Sequence, residues 1–137
     1  MIIESIRDFM RTSPHLKGKK IVNVDYLGKQ IEYTIDSVPS TSIIERYVDG
    51  GKIKQFVFVF ASREYYGKEF IINMENQGFY EKMSKWIEQK NDRYELPELT
   101  GGKESVRIEV LDSGYLYHAD EDTARYQMQL RLVYYEN

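Results

Sequence analysis

A strict two-residue alternation near the C-terminus constrains the fold of this chain more than any other feature. Large apolar side chains occupy every second position from Tyr126 to Tyr134, and polar side chains fill the positions between them from Arg125 to Arg131. Successive side chains of a β-strand point to opposite faces of a sheet, so the pattern predicts a long strand with one buried face. The fold must therefore contain a sheet that turns one face toward a core.

Residues 53–61 predict a second strand, which should lie at the centre of the sheet. Phenylalanine and valine alternate through residues 56–60, so both faces of this strand are apolar. Such a pattern is typical of a strand that is covered on both sides, at least locally. The glycines of residues 49–51 supply the positive φ that a tight turn needs, and they predict a hairpin with a strand over residues 42–48.

Shorter alternating segments predict four more strands, over residues 22–26, 31–35, 106–110 and 115–117. The first two should form a hairpin through a turn at Gly28. Apolar residues at helical spacing predict an amphipathic helix over residues 2–10 and helical structure over residues 67–92.

The second helical region contains two apolar stripes, separated by Gly78. The first comprises Phe70, Ile71 and Met74, and the second comprises Phe79, Met83, Trp86 and Ile87. Glycine lowers helix stability by ~1 kcal/mol, so the region should be a kinked helix or a helix pair. Because strands are clustered, the order of elements predicts an α+β fold with one mainly antiparallel sheet and helices packed on a face. The length of 137 residues fits a single domain over residues 1–137.

Charge and composition exclude several classes of protein. The net charge is −3, and the densest basic cluster is only Lys17, Lys19 and Lys20, so no stripe for nucleic acid is expected. The chain has no cysteine, which excludes disulfides, thiol catalysis and cysteine-ligated zinc. The longest apolar run, residues 56–61, is too short to cross a bilayer, and the N-terminus lacks the basic segment of a signal peptide. We therefore expect no membrane partner.

Few residues in the chain are suited to chemistry. His118 lies near three acids, Asp120, Glu121 and Asp122, but the cluster has no second nitrogen or sulfur ligand, so a solvated turn between strands is the favoured interpretation. Gly101-Gly102-Lys103 lacks the first glycine and the following helix of a phosphate-binding loop. No serine has the glycine-flanked turn of a nucleophile. The sequence therefore predicts no catalytic residue, no cofactor and no metal, hence no enzyme.

The aromatic content is unusually informative. The chain has 12 tyrosines, 6 phenylalanines and 1 tryptophan. The doublets Tyr65-Tyr66 and Tyr134-Tyr135 are notable, because neighbours in a strand cannot both point into one core. The exposed member can reflect the strand preference of tyrosine or an interface with another protein. Arginine and acid side chains nearby could pair across a subunit contact or lie on a solvated strand face, and both alternatives remain open.

Four segments together resemble a family of tailed-phage and prophage proteins of Gram-positive hosts. They are SIIERYVDGG at residues 42–51, FASREYYG at 60–67, NQGFYEK with WI at 76–87, and SGYL with DTARYQ at 113–127. Members of this family are labelled minor capsid proteins or tail terminators. The resemblance covers residues 30–136, and residues 1–29 match it less closely.

The resemblance implies a tail terminator, which forms a ring, usually a hexamer, on the finished tail tube and presents a surface to the head–tail connector protein. It implies a curved sheet with helices on one side, no catalytic residues, and a place in the tail or neck of the virion after synthesis in the host cytoplasm. Its implied partners are copies of itself, the tail tube protein and the connector. Seven residues are implied in ring contacts or in the local fold: Arg46, Asp49, Arg63, Glu64, Tyr65, Tyr66 and Arg125.

Two other functions remain as alternatives. One is another neck, head-completion or minor capsid protein of the same particle. The other is a cytoplasmic enzyme or a small-ligand-binding domain, which should have one deep pocket with convergent polar groups and a perturbed titratable residue. A ring protein should instead have a shallow surface and large subunit contacts.

Overall fold

The computed structural model of the protein describes residues 1–18, 20–112 and 114–137, apart from the side chain of Phe70. Lys19 of the basic cluster, Ser113 of the fourth resembling segment and the Phe70 side chain of the first apolar stripe lie outside this description. The described chain contains two helices, α1 (Ile2–Met10) and α2 (Phe70–Asp92), and seven strands, β1 (Val22–Val24), β2 (Tyr33–Ser37), β3 (Ile43–Arg46), β4 (Lys52–Tyr65), β5 (Lys103–Val110), β6 (Tyr115–Ala119) and β7 (Thr123–Glu136). The predicted α+β class is confirmed.

The two longest strands form the centre of the sheet. β4 and β7 pair antiparallel along their whole length, from Lys52 opposite Glu136 to Tyr65 opposite Thr123. The outer edge of β4 pairs with β2 and β3, and the outer edge of β7 pairs with β5 and β6. The two strands with the clearest sequence patterns therefore hold the other strands together. Since β1 pairs with β2 in parallel, the described strands form a mixed sheet.

The predicted hairpin between β3 and β4 is confirmed, but the one between residues 22–26 and 31–35 is wrong. β1 and β2 run parallel, with Val22 opposite Tyr33. Parallel neighbours cannot be joined by a tight hairpin turn, so the residues between them form a longer loop, which is held to its surroundings at Gly28. The backbone N–H of Gly28 donates to the Glu32 carboxylate, and its carbonyl accepts a hydrogen bond of 3.2 Å from Arg63 Nε.

Both helices pack on the same face of the sheet. α1 contributes Ile6, Phe9 and Met10 to the core, and α2 contributes its second apolar stripe together with Tyr80. The sheet contributes alternate residues of its central strands, namely Phe58 and Phe60 from β4 and Tyr126, Met128, Leu130, Leu132 and Tyr134 from β7. Full burial of an apolar side chain of this size contributes about 1.5–3 kcal/mol, so this layer supplies much of the stability of the fold.

α2 continues through Gly78 as one helix, so of the two predicted alternatives, a kinked helix or a helix pair, the helix pair does not occur. Tertiary contacts hold both sides of the glycine: the Asn76 side chain donates to the Tyr65 carbonyl at 2.8 Å, and Phe79 is buried in the core. These contacts outweigh the ~1 kcal/mol penalty of one helical glycine. Ile71 and Met74 of the first stripe are exposed, although helical spacing alone suggested a buried face.

Gly78→Ala is expected to stabilise the protein by about 0.5–1 kcal/mol, because alanine loses less backbone entropy in a helix. A methyl group there meets no atom within 4 Å. Gly114→Ala is the matched contrast, since its methyl group would overlap the buried Tyr80 side chain and should lower stability by about 1–3 kcal/mol. Urea unfolding measures both, and a change of the same sign in the two variants would contradict the packing described here.

Candidate interaction surface

The face of the sheet opposite the helices, here called the open face, is built from the alternate positions that do not enter the core. Strand register assigns these residues to it: Thr34, Asp36, Gln55, Val57, Val59, Ala61, Arg63, Tyr65, Arg107, Glu109, Arg125, Gln127, Gln129, Arg131, Val133 and Tyr135. Both described helices contact the other face. Val57 and Val59 are nevertheless less than a tenth exposed, so the surrounding side chains shield them from solvent.

Arg131 forms the centre of one polar cluster on the open face. Its guanidinium donates to the Gln55 side chain at 3.2 Å and to the Glu109 carboxylate, which also accepts a bond from Arg107. Burial raises the pKa of Glu109, but the hydrogen bonds from Arg107 and Arg131 outweigh it and hold the pKa below its ordinary value. Glu109 is therefore ionised at neutral pH, and it fixes both guanidinium groups.

Arg125 forms a second cluster at the other end of the same strand. Its guanidinium donates to Asp36 Oδ2 at 2.8 Å and to Gln127 Oε1 at 3.0 Å, and it lies 5.4 Å from the centre of the Tyr117 ring. Gln127 in turn donates to the Tyr115 hydroxyl at 2.7 Å. Side chains from β2, β7 and β6 are thereby joined into one network across the sheet.

Arg63 lies directly opposite Arg125 in the β4–β7 ladder. Two like charges at such a position repel each other, so each needs an acidic neighbour. Arg63 pairs with Asp120 at 3.4 Å, whereas Arg125 pairs with Asp36. The two side chains are 15% and 21% exposed, so this end of the open face holds two arginines that are fixed but still accessible.

The structure brings together only some of the residues implied in ring contacts. Arg63, Tyr65 and Arg125 lie at one end of the open face. Arg46 pairs with Lys52 at the far end of β4, about 35 Å away at ~3.3 Å per residue. Asp49 accepts the Gly51 N–H at 3.0 Å and shapes the β3–β4 turn.

Glu64 and Tyr66 lie elsewhere. Glu64 points into the core side of the sheet and is 2% exposed, with one carboxylate oxygen 3.2 Å from Lys17 Nζ. Tyr66 is partly buried, and its backbone N–H donates to the Asp122 carbonyl at 2.9 Å. In the isolated chain, Glu64 therefore has no surface to offer a partner, whereas Arg63 and Tyr65 on either side of it do.

The buried carboxylate of Glu64 lies near two buried tyrosines. Burial raises the pKa of Tyr33 to about 12, the backbone N–H of Lys17 lowers it in part, and the charge of Glu64 raises it further. Burial also raises the pKa of Tyr80 well above its ordinary value, although the Ser62 hydroxyl bonds to it at 2.7 Å. Both hydroxyls are parts of the core rather than of a surface site.

The tyrosine doublets divide as predicted. Tyr134 is buried in the core, and its neighbour Tyr135 lies on the open face with its ring 6.4 Å from that of Tyr47. Tyr66 packs against the core, whereas Tyr65 is 67% exposed. One tyrosine of each pair is thus available at the surface.

Sequence reasoning missed several residues of the open face. Asp36, Gln55 and Glu109 fix the two arginine clusters, yet each lies in a strand remote in sequence from the arginine that it binds. Arg131 carried a usable signal, because it follows Arg125 in the same alternation of polar residues. That alternation assigns both arginines to one face before any contact is known.

The remaining sequence candidates lie in the outer strand β6 and in ordinary turns. His118 Nε2, in the exposed strand β6, is 3.1 Å from Asp120 Oδ1 of the β6–β7 turn, and no group of three possible metal ligands occurs among the described residues. Gly101 and Gly102 adopt positive φ and lead into β5.

An open groove of about 950 Å³ lies between residues 26–30 and 120–123, beside Arg63. Neither described helix is long and apolar enough to cross a membrane.

In a comparison with known proteins, no family model and no curated protein sequence matches the chain.

Proposed function

We propose that this protein is a structural subunit of a tailed phage or phage-tail-like particle, a tail terminator that forms a ring on the tail tube and joins it to the head connector. The observation that carries the proposal is the open face. It is a broad surface of tyrosines and half-buried arginines, fixed by hydrogen bonds on the rigid β4–β7 ladder. The resemblance of four segments to terminator and minor capsid proteins supports the particular role.

The composition of the open face suits a protein partner. Arginine and tyrosine are enriched at protein interfaces and among the residues that contribute most to binding. Arg125 and Arg131 are already held by neighbouring side chains, so a partner would lose little of its binding energy to ordering them. A surface of this kind favours assembly with another folded protein.

The arrangement of the sheet suits a ring. A ring needs two different patches on one subunit, joined in a contact that closes by rotation. The open face and the helix-covered face give the subunit two distinct sides, so copies and tube protein can bind at different places. The proposal includes the curved form of the sheet that the resemblance implies for terminators.

A second candidate is a neck, head-completion or minor capsid protein of the same particle. The open face favours it equally, because that surface suits any stable protein contact. The two roles differ in partner: a terminator binds tail tube protein, and a head-completion protein binds the portal side. Mixing the purified chain with each partner separates them.

Deleting the gene in the bacterium that carries it tests the proposed function. A terminator stops tube growth, so electron micrographs of the deletion strain should show over-long tubes and heads without tails. Complementation with the intact gene should restore normal particles. Normal particles in the deletion strain would overturn the proposal.

Arg125→Met is expected to weaken binding to tail tube protein or to neighbouring copies by about 30-fold, the effect of losing one interface arginine that contributes strongly to binding. Folding should change little, by about 1 kcal/mol, because Asp36 remains partly in solvent. Lys90→Met is the control, since it removes a comparable ion pair with Glu95 at the end of α2. Equal binding by the two variants in a surface-binding assay would contradict a role for the open face.

A further inference from the structure

Two outer strands of the sheet have their free edges blocked by helix side chains. The Asn91 amide of α2 accepts the Ile108 N–H of β5 at 2.8 Å and donates to the Ile108 carbonyl. The Arg7 side chain of α1 donates to the Val22 carbonyl of β1 at 2.6 Å. Exposed edges invite pairing with another chain, and natural proteins often cover them in this way.

In the described part of the chain, the other two outer strands carry no such cap, and each contains one register shift, at Ile44 in β3 and at Tyr117 in β6. Among the described residues, β3 pairs only with β4, and β6 pairs only with β7. All five residues of β6 are exposed, and β3 is exposed from Ile44 to its end. Both edges carry large exposed side chains: Ile44, Tyr47 and Val48 near β3, and Tyr115, Leu116 and Tyr117 in β6.

The two open edges occupy opposite corners of the sheet. β3 pairs with β4 at Lys52, and β6 pairs with β7 near Thr123, at the other end of the central ladder and on its other side. Each edge strand is antiparallel to its neighbour, and β4 is antiparallel to β7. β3 and β6 therefore run in opposite directions within one copy.

We propose that β3 of one copy adds to the free edge of β6 of the next copy, antiparallel and in the same sheet. Two copies in the same orientation bring these strands together with the required polarity, so one contact repeats from copy to copy. This inference deepens the proposed function and rests on it for the closure of the contact into a ring, because a head-to-tail contact closes only when its rotation does.

Exposed apolar side chains on both edges, Ile44 in β3 and Leu116 and Tyr117 in β6, favour a second copy as the occupant. Glu45 of β3 lies opposite Ile53 of β4, and Ile53 lies opposite Tyr135 of β7 on the open face, so Glu45 also lies on the open face. No ion pair of the described residues engages the Glu45 carboxylate. His118 of β6 lies opposite Arg125, also on the open face. The head-to-tail contact thus brings the Glu45 carboxylate to the side of the sheet that holds the His118 ring, and a ring nitrogen of His118 can donate a hydrogen bond to it.

Cysteine cross-linking tests this contact cleanly, since the chain has no cysteine of its own. Ile44→Cys in β3 and Tyr117→Cys in β6 are mixed at high concentration, one of them affinity-tagged, and treated with a short bifunctional thiol reagent. We expect at least a fivefold excess of mixed cross-linked dimer over either variant alone. The double variant should give a ladder that ends in one closed species.

Two controls and three outcomes make the test decisive. Val106→Cys on the blocked strand β5, used in place of Tyr117→Cys, should give no excess of mixed dimer. Glu45→Lys should reduce the mixed dimer, whereas Glu104→Lys, on β5 of the same face, should not. Equal dimer from Ile44→Cys alone, equal dimer with Val106→Cys, or no mixed dimer overturns the contact. If the β3–β6 contact is not found but the protein still binds tail tube protein, the proposed function stands. Normal particles after gene deletion would overturn the proposed function and not the contact.

Discussion

Phe60→Ala should destabilise the protein by about 3–5 kcal/mol, the cost of removing a large buried aromatic side chain and leaving a cavity. Phe60 is fully buried at the centre of the sheet, between Ile35 of β2 and Met128 of β7. Its ring stacks on Tyr33 at 5.5 Å and lies 6.3 Å from that of Tyr80. Few neighbours can move to fill the space, because they belong to two different strands and to α2.

Chemical unfolding followed by far-UV circular dichroism measures this loss. Val48→Ala is the control, because Val48 is fully exposed in the β3–β4 turn and its truncation should change stability by less than about 0.5 kcal/mol. A loss below about 1 kcal/mol for Phe60→Ala would mean that the helices do not pack on the sheet as described.

The protein should lose stability steeply between pH 10 and pH 12. The folded chain raises the pKa of Tyr33 from 10.0 to about 12, chiefly through burial. Tyr33 therefore releases its proton at a lower pH in the unfolded chain than in the folded chain. Its contribution to the free energy of unfolding is complete below pH 10 and is lost as the pH rises to 12. At about 1.4 kcal/mol per pKa unit, Tyr33 lowers the free energy of unfolding by about 3 kcal/mol over this range. The raised pKa of Tyr80 adds to this loss.

Alkaline unfolding followed by tyrosinate absorbance tests this prediction. Tyr33→Phe and Tyr80→Phe remove the titrating hydroxyls, so each variant should lose less stability between pH 10 and pH 12 than the parent. Tyr94→Phe is the control, because it removes a tyrosine hydroxyl outside the core, from a side chain that is 83% exposed. Identical pH dependence in all four proteins would contradict the buried placement of Tyr33 and Tyr80.

The elements that depend on local patterns were predictable. β4 and β7 follow from the two-residue period, α1 follows from helical spacing, and the β3–β4 turn follows from its glycines, of which Gly50 adopts a φ of 92°. Each of these signals lies within a few consecutive residues. The α+β class then follows from their order along the chain.

The errors arose where distant residues decide the outcome. Alternation marks β1 and β2 as strands, but neither segment encodes their parallel pairing, and the loop between them is bonded to Arg63, more than 30 residues away. The continuity of α2 through Gly78 depends on packing against the sheet, which a helix propensity does not include. Ile71 and Met74 show the reverse case, in which helical spacing suggested a buried face that no described element covers.

The candidate site was predictable only in part. Alternation separates Glu64 from Arg63 and Tyr65, since neighbours in a strand face opposite ways. It does not reveal that Arg63 lies opposite Arg125, because the register of β4 against β7 joins residues 62 positions apart. The acids that fix the arginines, Asp36 and Glu109, come from two further strands and were missed for the same reason.

The mass of the purified protein, measured by light scattering alone and with tail tube protein, tests the central claim most directly. If the open face and the free strand edges serve assembly, the protein should form a closed ring with one fixed subunit number on the tube protein, six by the resemblance. A single chain under both conditions, with no tube protein bound, would contradict the account.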